Sequence, residues 1–129
     1  AAVKRAGINI DQIDYINAHG TSTAENDKME YLGTAAVFGD RMRKIPVSSN
    51  KSMIGHTLSA AGIIEAIFTL LTLEHQRIPP TINYDAPDPG ILFDVVPNKA
   101  RDARLTTGMS NSFGFGGQNV SLIMRRDLN

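Results

Sequence analysis

Residues 13–23 read Ile-Asp-Tyr-Ile-Asn-Ala-His-Gly-Thr-Ser-Thr, a short run of β-branched and aromatic residues that meets a histidine and a glycine. Such a run is typical of a buried strand that enters a loop. The hydroxyl residues that follow, together with a Ser22…Glu25 capping box, predict a helix that continues at helical spacing to Gly39. This stretch therefore predicts a strand, a loop carrying His19 and a helix.

The second half of the α/β pattern follows directly. Residues 45–48 predict a short strand and residues 49–56 a polar loop. Residues 57–75 predict a helix that is apolar on most of its circumference and so belongs inside the protein. The order so far, β-α-β-α, favours parallel strands joined through helices.

The C-terminal part predicts a different connection. Residues 79–90 contain repeated prolines, which favour an irregular segment that runs along the surface. Residues 105–112 and 120–125 predict two strands joined by the glycine-rich residues 113–117, which suits an antiparallel hairpin. The whole order is β-α-β-α-β-β. It predicts an α/β fold with a mixed sheet and with one face left uncovered.

Composition narrows the class of function. The 129 residues carry 13 basic and 13 acidic side chains, so no global charge favours nucleic acid as a partner. The chain has no cysteine, which excludes disulfides, thiolate metal sites and a cysteine nucleophile of its own. The most apolar stretch is interrupted by Glu65 and is short for a bilayer, so we expect no membrane span and a cytoplasmic location. The length and the 42% apolar content predict one globular domain. Because the chain opens without methionine, we expect it to be a fragment.

Two histidines stand out by their positions. His19 and His56 each follow a predicted strand, so both can point from strand-end loops into one cleft. Neither has a partner at a usual metal-ligand interval, and we predict no metal site. His75 lies at a helix end, where a solvated position near the helix dipole is expected. Spacing alone leaves a catalytic role and simple exposure both open for His19 and His56.

Three segments together are more specific than any one motif. Residues 17–23, 51–56 and 111–119 resemble, in order and spacing, the C-terminal signatures of β-ketoacyl-[acyl carrier protein] synthases of the elongating, synthase II-like type, and residues 79–83 add to the likeness. The resemblance covers nearly the whole chain. It implies a thiolase-like fold, in which residues 1–129 are the C-terminal domain, the second β-α-β-α-β-β half. It also implies an N-terminal half that supplies the nucleophilic cysteine.

The resemblance also implies a reaction, the decarboxylative Claisen condensation of fatty acid elongation. Loss of carbon dioxide from a malonyl thioester leaves negative charge on the thioester oxygen, which the N–H groups of His19 and His56 can stabilise. Lys51 would support the histidines through its charge. The backbone N–H of Phe115 matches the oxyanion hole, and its ring matches the gate of the acyl pocket. An exposed loop lysine and a core-filling phenylalanine are the alternatives.

Four further residues receive roles from the same resemblance. Thr21, Thr23 and Phe113 match substrate-binding positions, the two threonines near the pantetheine arm of the substrate carrier. Both threonines could equally cap a helix. Glu65 lies in an apolar helix, where burial without a partner is costly, and it matches a glutamate with a structural role.

The resemblance implies partners but no cofactor, because substrates travel on the phosphopantetheine of acyl carrier protein. The expected partners are that carrier, the N-terminal half and, in the parent enzyme, a second copy in a homodimer. The fragment alone should be inactive. A polyketide ketosynthase, a non-catalytic chain-length-determining subunit and a free-standing interaction domain remain as alternatives. Intact His19, Lys51 and His56 argue against the non-catalytic subunit.

Overall fold

The computed structural model of the chain describes residues 1–127. Its helices are α1 (Ala2–Arg5), α2 (Ala24–Phe38), α3 (Lys51–Ile54) and α4 (Ala61–His75), with short 3₁₀ turns at Ile10–Gln12, Gly39–Lys44 and Leu58–Ala60. Its strands are β1 (Tyr15–Asn17), β2 (Val47–Ser48), β3 (Arg77–Ile78), β4 (Arg101–Asp102), β5 (Thr107–Phe113) and β6 (Asn119–Arg125).

The main sheet is mixed, as the sequence predicts. Its four strands lie in the order β2-β1-β5-β6. β1 is parallel to both neighbours, so that Ile16 pairs with Val47 on one side and with Met109 on the other. β5 and β6 form the predicted antiparallel hairpin. Because β1 and β2 are parallel, the loops that follow them leave the same edge of the sheet.

Alternate residues of β1 point to opposite faces of the sheet and build two cores. Ile16 packs with Phe38 of α2 and Met42 on one face. Tyr15 packs with Leu73 of α4 on the other. The sheet therefore carries one helix on each face.

The prediction of an uncovered sheet face is wrong, because α2 and α4 cover the two faces, and the exposed apolar surface is instead the outer side of α4. Glu65, Thr69 and Leu73 turn inward and are buried. Ile63 and Leu70 on the opposite side are 63% and 50% exposed, so the expectation of a fully interior helix is right for one side only. Residues 58–75 are long and apolar enough to cross a membrane, with a mean hydropathy of 1.3. The core helix of a non-membrane protein can have the same length and hydropathy.

Three local predictions need correction. The Ser22…Glu25 capping box does not form, because Ser22 adopts a left-handed φ of 61° and Thr23 caps α2 instead. The loop predicted over residues 49–56 contains the helical turn α3. The small antiparallel pair of β3 and β4 lies outside the predicted strands. Residues 79–90, all within the described part of the chain, run without helix or strand, as predicted, and the irregular segment continues to residue 100.

Candidate functional site

The two strand-end histidines meet. His19 follows β1 and His56 follows α3, and their ring centroids lie 5.6 Å apart in an edge-on arrangement at 83°. His19 is buried and His56 is exposed. The sheet topology thus brings together the pair that the sequence places 37 positions apart (56 − 19). His75 is exposed at the end of α4, as expected.

A carboxylate that the sequence analysis missed holds the His19 loop. Glu30 accepts hydrogen bonds from the backbone N–H groups of His19, at 3.0 Å, and Gly20, at 2.9 Å. The side-chain amide of Asn111 donates to the same carboxylate at 3.4 Å. Burial raises the pKa of Glu30, and these hydrogen bonds oppose the rise. The signal was present, because Glu30, Thr34 and Phe38 share the buried face of α2.

Gly20 is held on its other side by Ser49. The Ser49 hydroxyl donates to the Gly20 carbonyl oxygen at 2.7 Å. Gly20 has a φ of +44°, and a Cβ built there would lie 2.5 Å from the Ser49 Cβ. Only glycine fits this close contact between the two histidine-bearing segments.

Lys51 is a buried residue of α3 and forms an ion pair with Glu65 of α4. Their side chains are 5% and 3% exposed, so the alternative of an exposed loop lysine is wrong. Burial raises the pKa of Glu65, and the hydrogen bond from Lys51 opposes the rise. The pair satisfies the expectation that a glutamate inside this helix needs a partner.

The environment keeps His19 neutral. Burial, the positive charge of Lys51 and the neighbouring His56 together lower its pKa to about 4. The His56 Nδ1 atom accepts a hydrogen bond from the Leu58 backbone N–H at 3.0 Å, so a neutral His56 ring carries its proton on Nε2. Neutral imidazoles that donate N–H groups can stabilise an oxygen on which negative charge develops.

The turn between β5 and β6 lies beside the histidines. The Phe113 ring centroid is 5.6 Å from that of His19. Beyond it, the exposed residues 114–117 form a tight turn, in which Gly117 has a φ of +83°. Phe115 is fully exposed at its tip. The structure thus brings Phe113 next to His19 and leaves the Phe115 ring in solvent.

Thr21 and Thr23 lie on the loop that leads from His19 into α2. Their hydroxyl oxygens are 3.1 Å apart, and the Thr23 hydroxyl accepts from the Asn26 N–H as the helix cap. Capping therefore accounts for Thr23 structurally. Within residues 1–127, no group of three or more histidine, aspartate or glutamate side chains could hold a metal ion.

A mixed-sheet α/β unit that brings two histidines and a lysine to its strand ends has the architecture of half a thiolase-like condensing enzyme. The sequence profile of "Beta-ketoacyl synthase, C-terminal domain" matches residues 1–85. The chain belongs to this family.

Relatives extend the likeness to nearly the whole chain. The chain is 48% identical over 97% of its length to the 3-oxoacyl-[acyl-carrier-protein] synthase 2 of Coxiella burnetii, and 50% identical over 97% to that of Rhizobium meliloti. It spans only 30% of the length of each. A solved complex of a type II PKS acyl-carrier protein with its ketosynthase is also similar, with a TM-score of 0.94 and 41% identity over 96% of this chain and 30% of that one.

Proposed function

We propose that this chain is the C-terminal domain, residues 1–129, of an elongating 3-oxoacyl-[acyl-carrier-protein] synthase of fatty acid synthesis. The observation that carries the proposal is the pair of histidine rings 5.6 Å apart, one of them held neutral at pH 7. The relatives that are about half identical to this chain are synthases of this name, which supports the same activity.

The reaction uses the histidines as hydrogen-bond donors. The bond between the malonyl carboxylate and the adjacent carbon breaks, and carbon dioxide leaves. The electron pair of the broken bond stays on the thioester and forms an enolate whose oxygen is negative. The N–H groups of His19 and His56 stabilise that oxygen. The enolate carbon then attacks the acyl thioester on a cysteine of the N-terminal half. The cysteine thiolate leaves, and a β-ketoacyl chain two carbons longer remains on the carrier.

Lys51 and Glu65 support this chemistry without taking part in bond changes. The Lys51 charge helps to lower the pKa of His19, so it keeps that ring a neutral donor. Glu65 neutralises Lys51 inside the protein, which is a structural role. An unpaired lysine would be costly at this depth.

The glycine-rich turn and the threonine loop serve the substrate. The backbone N–H of Phe115 joins the oxyanion hole, and its exposed ring gates the acyl pocket. Phe113, which lies against His19, lines the site. Thr21 and Thr23 hydrogen-bond the amides of the pantetheine arm, a role compatible with capping by Thr23.

The same reaction requires partners in addition to this chain. The N-terminal half supplies the nucleophile, since this chain contains no cysteine. Acyl carrier protein delivers both substrates on phosphopantetheine, and no further cofactor is needed. The solved ketosynthase complex with its acyl-carrier protein supports a carrier of this kind. We propose a homodimeric, cytoplasmic parent enzyme and no nucleic-acid partner.

The test is a condensation assay with the full-length protein, acyl-carrier protein thioesters and malonyl-carrier protein. We expect a β-ketoacyl product two carbons longer than the primer, with fatty acyl primers used in preference to polyketide intermediates. A folded protein that binds the carrier but neither decarboxylates nor condenses would favour the non-catalytic subunit instead.

A further inference from the structure

Ser49 joins the two segments that carry the histidines. It is 8% exposed and lies two residues before Lys51, at the start of the segment that ends in His56. Its hydroxyl donates across to Gly20, the residue after His19, at 2.7 Å. The contact is close because Gly20 has no side chain there.

Ser49 is itself fixed by hydrogen bonds on both sides of its backbone. Its N–H donates to the Thr81 hydroxyl at 3.1 Å, and its carbonyl oxygen accepts from the Ser52 hydroxyl at 2.8 Å. Ser52 in turn accepts from the Ile82 N–H at 3.0 Å. The hydroxyl that reaches Gly20 therefore extends from a rigid support.

Gly20 is held at both of its backbone polar groups. Its N–H donates to Glu30 of α2, and its carbonyl oxygen accepts from Ser49, the first residue of the segment that ends in His56. The Glu30 contact fixes His19 relative to α2. Of these two contacts, only the one from Ser49 connects the His19 loop to the segment that carries His56.

We infer that Ser49 is a positioning residue that sets the spacing of the His19 and His56 rings for stabilisation of one oxygen. This inference rests on the proposed function. A shift of about 1 Å in a catalytic group lowers a rate by roughly 100-fold. Loss of the Ser49 hydroxyl should therefore slow decarboxylation while leaving substrate binding, which uses other groups, unchanged.

The experiment measures malonyl-carrier-protein decarboxylation by the full-length protein carrying Ser49→Ala. We expect kcat to fall by roughly 10-fold to 100-fold, with KM within about twofold of the wild-type value. Thr72→Val is the matched control. It removes another buried hydroxyl that donates to a carbonyl oxygen, that of Phe68 at 2.8 Å, but links no histidine segment. Its kcat should stay within about twofold of the wild-type value.

A double variant separates positioning from general loss of structure. If Ser49 acts by setting the spacing of the two rings, Ser49→Ala should have little further effect once His56→Ala has removed one ring. The same fall in both backgrounds would overturn the inference, as would an unchanged kcat in Ser49→Ala alone. An inactive wild type would instead overturn the proposed function, and with it the role of Ser49 in this reaction.

Discussion

Gly20 follows β1 and Gly114 follows β5, and each begins a loop beside the histidine pair. The backbone of Gly20 is hydrogen-bonded to two side chains, those of Glu30 and Ser49. Gly114 is held by backbone groups, donating to the Gln118 carbonyl at 2.8 Å and accepting from the Gly117 N–H at 3.0 Å. The first loop is fixed by a buried polar network and the second is an exposed hairpin turn. His19, which is proposed to stabilise the enolate, thus lies in the rigid region, and Phe115, the proposed gate, lies in the more exposed one.

The largest effect expected in this comparison comes from breaking the buried ion pair. Glu65→Ala leaves Lys51 charged and without its partner inside the protein, which should cost about 3–5 kcal/mol of unfolding free energy. Urea unfolding measures the loss. Glu74→Ala, an exposed glutamate of the same helix, is the control and should change stability by less than about 0.5 kcal/mol. Equal effects of the two substitutions would show that the pair is not buried as described.

The close contact at Gly20 should give the next largest effect. Gly20→Ala places a Cβ against Ser49 at a left-handed φ, and we expect a loss of about 2–3 kcal/mol in the same unfolding measurement. Gly33→Ala, at an exposed position in α2 with open space around it, is the matched control and should gain about 0.5–1 kcal/mol. An unchanged unfolding free energy in Gly20→Ala would contradict the close contact between Gly20 and Ser49.

The depressed pKa of His19 predicts a pH dependence. Between its ordinary value of 6.5 and about 4, the unfolded chain binds a proton that the folded chain does not, so stability falls as pH falls. The His19 contribution should be at most about 2 kcal/mol between pH 7 and pH 5, because solvent screens part of the interaction.

Glu30 and Glu65, whose pKa values are raised, act in the opposite direction, so the measurement compares the wild type with His19→Gln. The wild type should lose more stability than the variant as the solution is acidified. Parallel pH profiles would show that His19 titrates normally.

The smallest effect should come from a surface ion pair. Arg77 and Asp102 lie 2.7 Å apart across β3 and β4, but their side chains are 57% and 79% exposed. Asp102→Ala should cost at most about 1 kcal/mol in urea unfolding, and added salt should reduce that cost further. A loss as large as that of Glu65→Ala would remove the distinction between the buried and exposed pairs.

Local patterns were sufficient for the main architecture. The β-branched run before His19, the glycine-rich turn and the spacing of α2 predict the mixed sheet and its helices, and all of them form. The convergence of His19 and His56 also follows from strand ends at one sheet edge. The role of Glu30 was not predicted from the sequence, although its spacing with Thr34 and Phe38 places the three residues on one helix face. Ser49 and Asn111 could not be found this way, because their partners are distant in sequence and set by tertiary contacts.

The measurement that tests the central proposal most directly is decarboxylation of malonyl-carrier protein by the full-length protein with His19→Ala or His56→Ala, with His75→Ala as the control. Each of the first two should lower kcat by roughly 100-fold to 1,000-fold, because each removes one donor to the developing oxyanion. His75→Ala, at the exposed end of α4, should leave kcat unchanged. Undiminished decarboxylation in either of the first two variants would contradict the role assigned to that histidine.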